Sequence, residues 1–172
     1  TLFKRITGGR KAIEEKKAGV TRDRLYGKAH WLDKEFLVVD TGGLTFSQSE
    51  EIEIMIQKQA QLALEEASVI LFLVDGRQGL TSLDEEIADM LRKQRKPVLL
   101  VVNKIESAKQ STAEFYKLGL DTPLPVSAAH GLNIGDLLDK IVSLFPEQKI
   151  KSHNGIGEYD AIRVAVVGRP NV

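Results

Sequence analysis

The sequence predicts an α/β fold, an open and mostly parallel sheet with helices on both faces, on the strength of three observations. Val69–Val74 and Val98–Val102 are short, unbroken apolar runs rich in β-branched residues, the pattern of strands buried on both faces. Stretches with apolar residues at helical spacing alternate with such runs, as a parallel sheet with crossover helices requires. Polar clusters close the strands: Asp40-Thr-Gly-Gly43, Asp75-Gly-Arg77, Asn103-Lys-Ile-Glu106 and Ser127-Ala-Ala129. Any one of them reads as an ordinary strand-to-helix turn. Together they form a constellation at the carboxyl ends of strands, where open parallel sheets bind ligands.

The elements follow in order. Leu2, Phe3 and Ile6 fall at helical spacing before Gly8-Gly9, predicting a short helix stopped by glycine. Residues 10–24 are charged and aperiodic, predicting a loop. Ala29–Leu32 and Glu35–Asp40 read as a hairpin turning at Asp33-Lys34. Ile52, Met55, Ile56, Ala60 and Ala63 give Ser49–Glu66 a helical period. A second helix fits Leu83–Arg95, starting near Thr81-Ser82 with Asp84, Glu85 and Glu86 in its first turn. Pro97 opens the strand Val98–Val102. A helix near Ser111–Lys117, a short strand Leu124–Val126 and a helix Ile134–Leu144 complete the series. Pro146–Asp160 is polar and reads as a linker, after which Ile162–Val167 is a further buried strand running into Gly168-Arg-Pro-Asn-Val172.

The chain has 172 residues, 42% apolar and 28% charged, enough for one domain with a real core and too few for two. Its longest apolar stretch, Val69–Val74, falls far short of the about 20 residues that span a bilayer, and the amino terminus has no apolar signal region, so neither secretion nor membrane insertion is expected. Without cysteine there is no disulfide, thiolate metal site or Cys nucleophile. His30, His130 and His153 lack metal-ligand spacing. Twenty-four basic residues balance 24 acidic ones, yet residues 1–28 alone carry +6 and the remainder −6. The basic end suits phosphate or nucleic acid, or equally a solvated helix face and loop.

The clusters carry chemistry. Asp40, at a strand end ahead of a glycine pair, suits a phosphate-bound Mg²⁺ reached through water, while the Gly43 amide suits the terminal phosphate. Asn103-Lys104-x-Glu106 suits a purine. Glu106 can accept two hydrogen bonds from a guanine edge, and the Lys104 stem can lie along the ring. Adenine offers no matching pair of donors, so GTP is predicted over ATP. Thr21, in the basic loop Ala18–Arg24, is a candidate to bind Mg²⁺ when that loop closes on a γ-phosphate. Ser127-Ala128 would hold guanine O6 through backbone amides.

In order and spacing, Gly-Val-Thr-Arg-Asp (19–23), Asp-Thr-Gly-Gly-Leu (40–44), Val-Asp-Gly-Arg-x-Gly-Leu-Thr (74–81), Asn-Lys-Ile-Glu (103–106) and Ser-Ala-Ala-His-Gly (127–131) resemble the Der (EngA) family. Those are bacterial and organellar GTPases with two tandem GTPase domains and a KH-like domain, required for large-subunit ribosome assembly. The resemblance implies a P-loop NTPase, Ras-like GTPase fold: residues 1–145 as the first GTPase domain lacking its own first strand, 146–160 as linker, and 161–172 as the first strand and partial phosphate loop of the second. It also implies nucleotide contacts from Thr41, Gly42, Leu44 and Gly168, and phosphoryl transfer from GTP to water. Leu44 stands where many GTPases carry a water-orienting glutamine. K⁺-assisted hydrolysis is implied instead, with K⁺ near Asn171 and the Gly19-Val-Thr-Arg loop. Slow turnover raised on the ribosome, rRNA and large-subunit partners, a monomeric state and a cytoplasmic or plastid-stromal setting complete the expectation.

Two departures stand out. The usual guanine motif ends in Asp, and here it ends in Glu106. The Gly-Lys-Ser of the phosphate loop is also missing: the sequence stops at Val172 where the family continues with it, and starts at Thr1 where the family has just passed it. Ile162–Val167 is therefore expected to fill the missing central strand, as in a circular permutant whose phosphate loop is nicked between Val172 and Thr1. The rival expectation is a nucleotide-dead folding or RNA- or protein-binding module, since the phosphate Lys is lost. A third is RNA binding through Arg10, Lys11, Lys16 and Lys17.

Overall fold

The computed structural model describes residues 1–9, 13–15, 24–41, 61–107, 110–146, 161–169 and 172. The elements are α1 (Leu2–Ile6), β1 (Ile13–Glu15), β2 (Arg24–Trp31), β3 (Lys34–Asp40), α2 (helical over 61–66), β4 (Val69–Asp75), α3 (Ser82–Arg92), β5 (Val98–Asn103), a 3₁₀ helix (Ala113–Leu118), β6 (Leu124–Pro125), α4 (Ile134–Ser143) and β7 (Arg163–Gly168). They build one seven-stranded sheet in the order β1-β2-β3-β7-β4-β5-β6. The β1–β2 and β2–β3 pairs are antiparallel, and every pair from β3 to β6 is parallel.

The two-residue period of a strand divides the core into two layers. Val69, Leu71 and Leu73 of β4 pack with Leu2 and Ile6 of α1 and Leu137, Leu138 and Ile141 of α4. Ile70, Phe72 and Val74 face the opposite layer, with Ala88 and Leu91 of α3, Phe115 and Leu118 of the 3₁₀ helix and Leu64 of α2. β7 obeys the same alternation: Val164 and Val166 join the first layer, Ala165 and Val167 the second. It lies parallel between β3 and β4, with Leu37 opposite Arg163 on one side and Val69 opposite Val164 on the other. The strand thus occupies the central slot, which if vacant would leave two open sheet edges.

The close approach of β7 to β4 depends on Gly168. A Cβ there would sit 2.3 Å from the Leu73 carbonyl oxygen, a backbone atom that cannot swing aside. Gly168→Ala is expected to lower the free energy of unfolding by about 1–3 kcal/mol, the usual cost of overpacking; a urea unfolding midpoint equal to that of the unaltered chain would contradict it.

Several expectations need correction. The stretch 10–24 contains β1, which pairs with β2 through Ile13 opposite Tyr26, and β2 itself begins at Arg24. A strand of only three residues is too short to leave a period in the sequence. The hairpin turns at Leu32-Asp33, one residue early, because Leu32 takes the left-handed conformation (φ +52°) and Lys34 already pairs with Trp31. α3 stops at Arg92, before the expected Arg95. Pro97 disfavours helix at the preceding residue, and the Lys96 ammonium reaches back to the Leu64 and Glu65 carbonyls of α2. The helix expected near 111–117 is a 3₁₀ helix ended by left-handed Gly119. Of the helix 49–66 only 61–66 are described, and the expected linker from 147 to 160 lies outside the described residues. Among the described residues no helix is long and apolar enough to cross a membrane.

Candidate functional site

A cleft of about 450 Å³ opens at the carboxyl ends of the parallel strands. Asp40 of β3, Gly168 and Arg169 at the end of β7, Asn103 at the end of β5 with Lys104 and Glu106 after it, and Ser127 and Ala129 after β6 all line it. Thr1 and Val172 line the same cleft, beside Leu2 and Phe3. The expected residues Asp40, Asn103, Lys104, Glu106, Ser127 and Gly168 are therefore brought together. Thr41 sits alongside, its hydroxyl and its amide both donating to the Val166 carbonyl at 2.6 and 3.1 Å. Ala128 is buried just beneath the cleft wall. Thr21, Gly42, Gly43, Leu44 and Asn171 lie outside the described residues.

The base-reading end is assembled by a lattice of short contacts. Lys104 adopts φ +66°, which turns the chain out of β5 so that the Ile105 amide meets the Val126 carbonyl at 3.0 Å. Asn103 is buried, and its Oδ1 accepts the Ala128 amide at 2.9 Å, locking the end of β5 to the loop after β6. The Ser127 amide is likewise engaged, with the Leu132 carbonyl at 3.1 Å. Both amides expected to hold guanine O6 are thus already hydrogen-bonded within the protein. The next amide, that of Ala129, donates to no group among the described residues. Arg5 of α1 fixes this loop from behind, giving its Nε to the Ala128 carbonyl at 2.9 Å and its Nη2 to the Ala129 carbonyl at 2.6 Å.

Asp75, buried at the end of β4, is the electrostatic hub of this end. Its Oδ1 accepts the Arg77 and Gln78 amides at 2.9 and 3.1 Å, and its Oδ2 pairs with the Lys104 ammonium at 2.7 Å. Burial alone would raise its pKa, but the Lys104 hydrogen bond and the two amides outweigh burial and hold the carboxyl below its ordinary 3.8. Above that value the ionised group contributes its full stabilisation to the fold. As pH falls through the ordinary value and on through the lower folded one, the unfolded chain takes up the proton first and the stabilisation is lost. Asp75→Asn is expected to flatten this acid limb of the stability profile; equal acid sensitivity in both proteins, measured by urea unfolding from pH 5 downward, would contradict it.

Glu106 is gripped from two sides. Arg77 Nη2 lies 2.6 Å from its Oε2, and His130 Nε2 lies 3.3 Å from its Oε1. The Arg77 hydrogen bond is the main reason its carboxyl is held below the ordinary carboxylate range. On the far side of the cleft Arg169 gives its Nε to Asp84 at 3.0 Å and its Nη1 to Gln78 at 3.0 Å. Asp84 also closes the capping box of α3 with Thr81.

The sequence placed Asp75 and Arg77 in the strand-end constellation without a role of their own, and gave none to Arg5, His130 or the Arg169–Asp84 pair. Only Asp84 left a usable signal: a Thr with an acidic residue three positions on is the capping-box spacing, which fixes the carboxylate at the start of α3.

A parallel sheet that ends in an Asp-Thr turn, an Asn-Lys-x-Glu loop and a Ser-Ala loop around one cleft defines a GTPase domain of the P-loop NTPase class. The family model of 50S ribosome-binding GTPases matches residues 1–104. The chain belongs to that family, in its Der (EngA) group. It is 57% identical to GTPase Der of Heliobacterium modesticaldum and 53% identical to GTPase Der of Moorella thermoacetica; both alignments cover all of this chain and 39% of the relative. The chain thus spans about two fifths of the length of these curated relatives. Among solved structures it is similar to Era of Aquifex aeolicus bound to GDP and AlF4⁻, with TM-score 0.68, 29% identity, and coverage of 94% of this chain and 56% of that one. It is also similar to Era in complex with MgGDPNP and a segment of 16S ribosomal RNA, with TM-score 0.70, 30% identity, and coverage of 90% and 55%.

Proposed function

We propose that this chain binds a guanine nucleotide in the cleft and serves GTP hydrolysis within a parent protein that assembles the large ribosomal subunit. The observation that carries the reading is the convergence of Asn103, Lys104, Glu106 and Ala129 on one end of the cleft, with Asp40 and Gly168 on its walls. Glu106 offers two acceptor oxygens to the N1–H and 2-amino groups of guanine. The contact to guanine O6 passes from the engaged Ser127 and Ala128 amides to that of Ala129. Asn103 acts by fixing this loop to β5, and Lys104 lays its stem along the base while its ammonium stays with Asp75.

The donor set fits Mg²⁺. Among the described residues no three His, Asp or Glu side chains gather into a metal cage. A single carboxylate, Asp40, with the substrate phosphates and the Thr21 hydroxyl, is the kind of partial shell Mg²⁺ accepts. When bound, Mg²⁺ neutralises charge on the transferring phosphoryl group. The Gly43 amide would face the terminal phosphate, and Leu44, being apolar, cannot orient the attacking water. Asn171 and the 19–22 loop would hold the assisting K⁺.

Residues 1–145 form the first GTPase domain in this reading, 146–160 the linker, and 161–172 the start of a second domain, lent here to the central slot of the first. The parent works in the cytoplasm as a monomer, with the large ribosomal subunit and rRNA as partners. The rival, a nucleotide-dead module, gains no support from the relatives, which are named as GTPases. Calorimetric titration with GDP, GTP and ADP, with and without Mg²⁺ and with and without Gly-Lys-Ser restored, tests the reading. Restored protein should prefer guanine and require Mg²⁺ for tight GTP binding; failure to prefer guanine would overturn the assignment.

A further inference from the structure

We propose that Arg77 and His130 are positioning residues for guanine recognition, gripping the two oxygens of Glu106 so that its long side chain meets the base already aimed. The inference rests on the guanine reading of the cleft and deepens it. A glutamate has one more rotatable bond than an aspartate, and at an open cleft wall that freedom must be given up when a ligand binds both oxygens. In this chain it is already taken up. The Glu106 amide donates to Gln110 Oε1 at 2.7 Å, fixing the backbone, while Arg77 Nη2 holds Oε2 at 2.6 Å and His130 Nε2 approaches Oε1 at 3.3 Å. Each gripping residue is itself anchored. The Arg77 amide is bound by Asp75, the carboxylate that also pairs with Lys104, and the His130 amide is bound by Ser127 Oγ at 3.3 Å. A carboxylate oxygen has two acceptor directions, so each retains one for the base while keeping its protein partner. Arg77 and His130 are both largely exposed, so neither is spent on the core.

The test compares GDP with IDP, whose base lacks the 2-amino group, on the chain with Gly-Lys-Ser restored. Arg77→Ala is expected to lower the GDP-over-IDP binding ratio about three- to tenfold, because GDP needs both Glu106 oxygens aimed at once whereas IDP, with N1–H alone, needs only one. Arg77→Lys, which keeps a donor for Oε2, should recover part of the loss, and His130→Ala should act in the same direction more weakly. In a Glu106→Asp background the shorter arm no longer reaches Arg77, so Arg77→Ala should leave the ratio unchanged. A ratio unaltered by Arg77→Ala in the Glu106 protein would overturn the proposal with the guanine site intact. An equal fall in both backgrounds would also overturn it, since that marks a general structural role. Unaltered protein that fails to prefer GDP over both IDP and ADP would overturn the guanine reading itself, and this inference with it.

Discussion

Replacing Glu106 with glutamine should convert a guanine site into a xanthine site. The carboxylate presents two acceptors to the N1–H and 2-amino donors of guanine, whereas an amide presents one acceptor and one donor. Against guanine the new N–H meets the 2-amino group donor to donor. Against xanthine it meets the C2 carbonyl and is satisfied. A site built around a hydrogen bond rejects the unmatched ligand strongly, so GDP affinity should fall about 100-fold or more while XDP affinity rises. Fluorescence competition between GDP and XDP on the Gly-Lys-Ser-restored protein measures both. Unchanged GDP affinity would show that Glu106 does not read the base.

The largest expected effect on stability comes from Arg169→Ala. Asp84 is fully buried, with Oδ2 accepting the Thr81 amide and hydroxyl at 3.1 and 2.7 Å and Oδ1 held by Arg169 Nε at 3.0 Å. Truncating Arg169 leaves a buried carboxylate that has lost the donor to Oδ1 and its counter-charge, a change that costs about 3 kcal/mol or more. The intact pair is itself far from ideal, since Arg169 Nη2 is buried without a hydrogen-bond partner among the described residues. Arg169→Met combined with Asp84→Asn, which removes both charges and keeps the bulk, should therefore recover most of the loss. Urea unfolding reads both variants, and a loss below about 1 kcal/mol for Arg169→Ala would contradict the assignment. The pair ties the end of β7, which lines the cleft, to the cap of α3.

What the sequence disclosed follows from how each feature is encoded. β4 and β5 are legible because a strand buried on both faces must be apolar at every position. β1 is not, because its three residues are too few to show any period. The place of β7 was foreseeable only through a resemblance that left a central slot to fill; nothing in Arg163–Gly168 says which neighbours it takes. At the site, Asn103-Lys-x-Glu106 is a linear motif, readable without a fold. Arg5 meets Ala128 across 123 positions, and Lys104 meets Asp75 across 29, so their roles exist only once the sheet has gathered them. The Ala129 amide is identified the same way, by its two neighbours being engaged.

Under the proposed function, this cleft takes a guanine nucleotide at the carboxyl ends of β5 and β6. Amide chemical-shift mapping of the ¹⁵N-labelled, Gly-Lys-Ser-restored chain titrated with MgGDP tests it most directly. Asn103, Glu106, Ala129 and Gly168 should shift together and saturate, with MgADP leaving them in place at the same concentration. Saturating shifts elsewhere on the sheet, or equal shifts with MgADP, would contradict it.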